Sequence, residues 1–144
     1  MKRLIYSLAF FACVAASTPA FAQQSGNLRV EFQGPGGHSS GAYGRVSALH
    51  AAARAVILIQ QSLPAGSYQI TNLTGGNSVN SIASDGLIEL KVTAANAAAY
   101  QKLVAAVTNA AAEGAAAENK FRGVKPGDLT SGAPATVRSA VTPF

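Results

Sequence analysis

The chain has 144 residues, 49% of them hydrophobic, with 11 basic and 6 acidic side chains and a formal net charge of +5. That length allows one small domain behind a leader, and much of its apolar content is alanine, which contributes little area, so oligomerisation would help it. The single cysteine, Cys13, excludes a disulfide framework and a cysteine metal site.

The first residues read as a secretion leader. Lys2 and Arg3 give a positive start, Leu4 to Ala16 form an apolar stretch too short to span a bilayer, and Ala20-Phe21-Ala22 is a small-x-small cleavage site. Cleavage after Ala22 is expected, leaving a periplasmic or secreted chain that begins Gln23-Gln24. The alternative is a lipoprotein anchored at Cys13, for which Phe10-Phe11-Ala12 is a poor lead-in. Loss of Lys2 and Arg3 leaves 9 basic residues against 6 acids, a net +3. The basic residues are scattered, with no run interleaved with aromatics, which argues against nucleic acid.

Asn27 to Gln33 alternates. Leu28, Val30 and Phe32 point one way and Arg29, Glu31 and Gln33 the other, a half-buried strand. The loop Gly34-Pro35-Gly36-Gly37-His38-Ser39-Ser40-Gly41 follows. It is a Cβ-poor bend that sets an imidazole beside bare backbone amides, which suits contact with a small anionic or carbonyl ligand. From Arg45 to Leu63, the residues Val46, Leu49, Ala53, Val56, Ile57, Gln60 and Leu63 recur at helical spacing, and Pro64-Ala65-Gly66 ends the run. Ser67 to Leu73 predicts a second strand, Thr74 to Asp85 a second polar loop, and Gly86 to Thr93 a third strand. Asn96 is a candidate N-cap for a long alanine-rich helix over Ala97 to Asn119, with Tyr100, Leu103, Val104 and Val107 on its packing face. Beyond Asn119 the pattern breaks at Gly123, Pro126, Gly127, Gly132 and Pro134, and only Ala135 to Val141 is weakly strand-like.

The order β-α-β-β-α with a doubtful last β predicts an α+β, ferredoxin-like two-layer sandwich. Its antiparallel sheet has three to four strands and carries two helices on one face. The organisation expected is a leader over 1–22, a domain over 23–125, and an irregular tail or weak last strand over 126–144.

Two loops now stand out together: Gly-Pro-Gly-Gly-His38-Ser-Ser-Gly-Ala-Tyr-Gly-Arg45, and Gly75-Gly-x-x-x-Asn80-Ser-Ile82. With the strand Ile88–Val92 and the helix ending Ala-Glu118-Asn119, this pairing resembles the dimerisation (lid) domain of the M20 metallopeptidases over roughly residues 27 to 125. The resemblance implies that His38 corresponds to the lid histidine, which in family dimers reaches the partner subunit's active site, and that Asn80 corresponds to a substrate-contacting asparagine. His38, Asn80, Gly37 and Ser39 are the ligand-binding candidates. Neutral donors aimed at a developing negative charge contribute strongly in a dry site.

The departures matter as much. M20 enzymes carry their metals in a separate flanking domain, which this chain lacks. The mature chain has only His38 and His50, no cysteine and dispersed acids, so no two-metal site, cofactor or catalytic residue is expected. Ala83 stands where the family usually has proline, and Thr93 where it usually has an arginine. Leu129 to Pro134, where a final lid strand belongs, cannot pair as a central strand and leaves a sheet edge open.

Simpler readings stand beside these. His38 can be a turn residue inherited from an enzyme ancestor, Asn80 can bond loop backbone, and His50 reads as a surface residue. Gly34–Gly37 lacks the Lys and Ser/Thr of a phosphate cradle. The alanine-rich stretch lacks the basic face of a membrane-active helix. The function expected is that of a non-catalytic, exported lid-like module. It would act in self-association, as a homodimer through the first helix and an edge strand, or in protein or peptide binding. The alternative is an accessory or remnant of an M20 peptidase that supplies His38 to a partner's active site.

Overall fold

A computed structural model describes residues 22–144, and both the leader and Cys13 lie outside the described residues. In chain order the elements are β1 (Gln24–Gln33), the two-residue β2 (Gly37–His38), the one-turn α1 (Ser39–Ala42), α2 (Ala48–Ser62) and β3 (Tyr68–Thr74). Then come β4 (Ser81–Ile82), β5 (Asp85–Ala94), α3 (Ala97–Phe121), β6 (Leu129–Thr130), β7 (Ala133–Pro134) and β8 (Arg138–Pro143). The main sheet has the order β3-β5-β1-β8, antiparallel throughout, which is the ferredoxin-like arrangement.

The period-two alternation of the strands places the sheet. Leu28, Val30, Phe32, Ile88, Leu90 and Val92 are all buried under α2 and α3. Leu28 lies opposite Leu90 and Val30 opposite Ile88, so two apolar rows meet across the central pair. The other face is polar. There Arg29 bridges cross-strand to Glu89 at 2.8 Å and lies 4.8 Å over the Phe144 ring. The hydrogen bond from Arg29 holds the Glu89 carboxyl below its ordinary value, assisted by Asn72 and opposed by desolvation.

The helices meet along a seam of small residues. Ala48, Ala51, Ala52 and Ala55 of α2 are fully buried, as is Ala111 of α3. At Gly114 of α3 a Cβ would come within 2.8 Å of both the Ala51 carbonyl oxygen and the Ala55 amide nitrogen, so main chain faces main chain there. The helix starts follow capping chemistry. Ser47 accepts from the His50 N–H at 3.4 Å, which moves the start of α2 to Ala48 from the expected Arg45, and Asn96 accepts from the Ala99 N–H at 2.9 Å. Among the described residues no helix is long and apolar enough to cross a membrane.

The C-terminal segment differs most from expectation. The last strand is Arg138–Pro143, not Ala135–Val141, and it pairs along β1 with Val141 opposite Val30. The β1 edge expected to be open is therefore occupied, and among the described residues the free edges are the outer sides of β3 and β8. Asn119 sets the entry to β8: its side-chain amide accepts from the Val137 N–H at 2.8 Å and donates to the Val137 carbonyl at 3.0 Å. Leu129 to Pro134 closes on itself as the β6–β7 hairpin across Ser131 and Gly132, both at positive φ (50° and 79°), as in two-residue hairpin turns.

Candidate functional site

The two glycine-rich loops are joined. In the short β2–β4 ladder Gly37 lies opposite Ile82 and His38 opposite Ser81, and the Ser39 N–H donates to the Asn80 carbonyl at 2.9 Å. At the loop bases Gly34 N–H reaches Ser84 O at 2.8 Å and Ala48 N–H reaches Ala83 O at 3.0 Å. Gly37 has φ 132°, and a Cβ there would come within 2.7 Å of the Ala42 Cβ. Only glycine lets the chain fold back so tightly at that point. Arg45 fastens the loop from outside, donating to Gly36 O at 3.1 Å and to Ser131 Oγ at 3.4 Å on the β6–β7 hairpin.

This ladder brings His38 and Asn80 side by side at an exposed lip. His38 Nδ1 lies 3.2 Å from the Ser40 N–H and 2.8 Å from Ser40 Oγ. Nε2 lies 3.1 Å from Asn80 Nδ2, and the ring tautomer sets which nitrogen donates and which accepts. Both ring nitrogens thus have partners within the chain, and a ligand reaching Nε2 has to displace Asn80. Gly37 sits in the ladder and Ser39 just beyond it, and both contribute backbone that holds the pair. Asn80 bonds side chains, those of His38 and Ser78, where the simpler reading had it bonding loop backbone. Thr93 is not part of this group. It lies eight residues along β5 from Asp85, about 27 Å away at strand rise.

The sequence reading missed the buried cluster behind the loops. Glu118 of α3 has a fully buried side chain. Its Oε1 accepts from Ser47 N–H at 3.2 Å and Arg122 Nε at 3.1 Å, and its Oε2 accepts from Arg54 Nε at 3.1 Å. Both guanidiniums lie over the exposed Phe121 ring, Arg54 at 5.1 Å and Arg122 at 4.9 Å from its centroid. The signal was present: Val107, Ala111, Gly114, Ala115 and Glu118 recur at helical spacing, and Arg122 follows four residues on. His50 is exposed, as expected of a surface residue, although its Nδ1 comes within 3.8 Å of Glu118. Among the described residues no three His, Cys, Asp or Glu side chains gather to hold a metal ion.

The class the geometry defines is a ferredoxin-like sandwich with two glycine-rich loops cross-braced at one end. The profile of the M20 family described as "Peptidase dimerisation domain" matches residues 23–119, more than half of the chain. The chain belongs to that family. The matched domain is the non-catalytic, dimerisation part of M20 peptidases.

Among solved structures, the chain is similar to an aminobenzoyl-glutamate utilization protein from Klebsiella pneumoniae, with a TM-score of 0.61 and 16% identity over 88% of this chain and 31% of that one. It is also similar to a hydantoinase/carbamoylase family amidase from Burkholderia ambifaria, with a TM-score of 0.62 and 20% identity over 87% of this chain and 28% of that one. A tripeptidase from Staphylococcus aureus aligns with a TM-score of 0.58 and 16% identity over 84% of this chain and 29% of that one. At these identities the likeness is one of fold. The chain spans less than a third of the length of each of these three structures. Comparison with curated proteins gives no match.

Proposed function

We propose that the mature chain is an exported, non-catalytic lid-like module that acts by self-association or by binding protein or peptide. The observation that carries this reading is the outer edge of β3. Its sequence, Tyr-Gln-Ile-Thr-Asn-Leu-Thr, contains no charge and no proline, the residues that normally protect a free edge. Leu73 on β3 is 43% exposed, and Ile57 on α2, the helix that neighbours β3, is 53% exposed. Pairing of β3 with β3 of a second copy, α2 beside α2, is isologous and extends the sheet across the dyad. Membership in a dimerisation-domain family supports self-association. The test is light scattering and crosslinking of the mature protein. A concentration-dependent dimer that Ile57→Asp with Leu73→Asp dissociates supports it, and a strict monomer at high concentration overturns it.

A second reading, contact between the His38–Asn80 pair and a peptide or a partner's active site, is favoured by the exposure of that pair at the loop tip. It predicts heat on titration with dipeptides that is lost in His38→Ala. The absence of heat across a broad peptide panel removes it. Hydrolysis by this chain alone with added zinc would overturn the non-catalytic assignment.

A further inference from the structure

A cleft of about 490 Å³ opens between the 75–83 loop, the start of α2 and the end of α3. That volume lies in the range that holds small molecules. Among the described residues no carboxylate lines it. Glu118 is fully buried and faces the Arg54 and Arg122 guanidiniums, and Asp85 accepts from the lining Gly76 N–H at 3.2 Å, so the two arginines balance the two acids. Arg122 lines the cleft and spends only its Nε on Glu118, at 3.1 Å. Its Nη hydrogens are uncommitted among the described residues, while the Glu118 bond and the Phe121 stack at 4.9 Å hold the guanidinium plane in place. A guanidinium fixed in this way is a preorganised two-pronged donor for an oxyanion. His50 lines the same cleft from α2, with its side chain 59% exposed. Ser78 and Ser81 bring hydroxyls from the loop that donate to Asn80 and Asn77 and have to turn to reach a ligand. With that rotation donors converge from three separate elements, an arrangement that suits a tetrahedral oxyanion better than a planar one. Leu49 and Ile82 supply an apolar wall beside them.

We propose that this cleft is a binding site for a phosphate group, carried by a small monoester whose organic part lies on Leu49 and Ile82. The site is separate from the β3 edge and does not use the His38–Asn80 pair.

The test is an amide-resolved NMR titration of the mature chain with inorganic phosphate and with phenyl phosphate, using chloride at matched ionic strength as the control. The expected result is saturable movement of the Gly75–Ile82 amides and of Arg122 Nε with both phosphates, and tighter binding of the ester. Arg122→Lys keeps the charge and loses the fork, and should weaken binding about tenfold. Because Arg122 also bonds Glu118, the exposed His50→Ala serves as the second variant, since His50 stands 3.8 Å from Glu118 and makes no hydrogen bond to it, and it should weaken binding as well. Phosphate binding as tight as that of the ester would overturn the monoester and leave free phosphate as the ligand. Movement no greater than with chloride, or binding unaffected by His50→Ala and Arg122→Lys alike, would overturn the site.

Discussion

Replacing Glu118 with alanine tests the buried cluster most directly. The substitution removes three hydrogen bonds, from Ser47 N–H at 3.2 Å and from the Nε groups of Arg54 and Arg122 at 3.1 Å each. Ser47 is 6% exposed, so its N–H is left buried without an acceptor, at a cost of about 1–3 kcal/mol. The Arg54 and Arg122 side chains are 37% and 24% exposed and their charged groups regain water, so their loss is smaller than that of a fully buried pair. With the void left by the carboxyethyl group, the total is about 3–5 kcal/mol, in the range for removing one partner of a buried ion pair. Urea unfolding followed by circular dichroism at 25 °C measures it, with the m-value unchanged if the native state stays compact. Arg54→Ala leaves Arg122 and Ser47 on the carboxylate and should cost less than half as much. A loss below about 1 kcal/mol in Glu118→Ala, or an equal loss in Arg54→Ala, would refute the view that the carboxylate organises the cluster.

Other outcomes follow from single contacts. Gly114→Val forces carbon into a gap where main-chain atoms already stand 2.8 Å from a Cβ, so it should destabilise by about 2 kcal/mol or more in thermal unfolding, despite the poor helix propensity of glycine. Asn119→Ala removes both bonds to Val137, and hydrogen exchange should show β8 amides losing protection while those of α2 keep theirs. The Glu89 carboxyl is depressed in the folded chain, so its contribution is present at neutral pH and is lost as the pH falls through that lowered value. Glu89→Gln should therefore flatten the acid limb of a stability-against-pH profile, and an unchanged limb would count against the Arg29 pairing.

Strand alternation made the sheet legible, because Leu28, Val30 and Phe32 and their partners on β5 report a single buried face. The N-terminal extension of β1 to Gln24 was not legible, since Ser25 and Gly26 carry no apolar signal and owe their strand state to pairing with Thr93 and Val92. The start of β8 was hidden for a related reason. Ala135 and Val137 are buried like strand residues, yet a side chain of α3 holds that stretch, and no local pattern announces a partner 18 positions away. His38 and Asn80 were legible as loop residues, while their contact depended on a two-pair ladder too short to show periodicity. Glu118 was passed over because an acid in an alanine helix reads as a solvated face unless its spacing is traced along the whole buried stripe.

The small-residue seam between α2 and α3 also bears on temperature. The heat capacity of unfolding follows the apolar area exposed, and methyl groups and a bare Cα expose little of it. The free energy of this fold should therefore change slowly on warming and cooling, with a low, broad maximum instead of a sharp one. A module of this build would hold a modest margin over a wide thermal range, and anything that binds only the folded form would lift that whole curve.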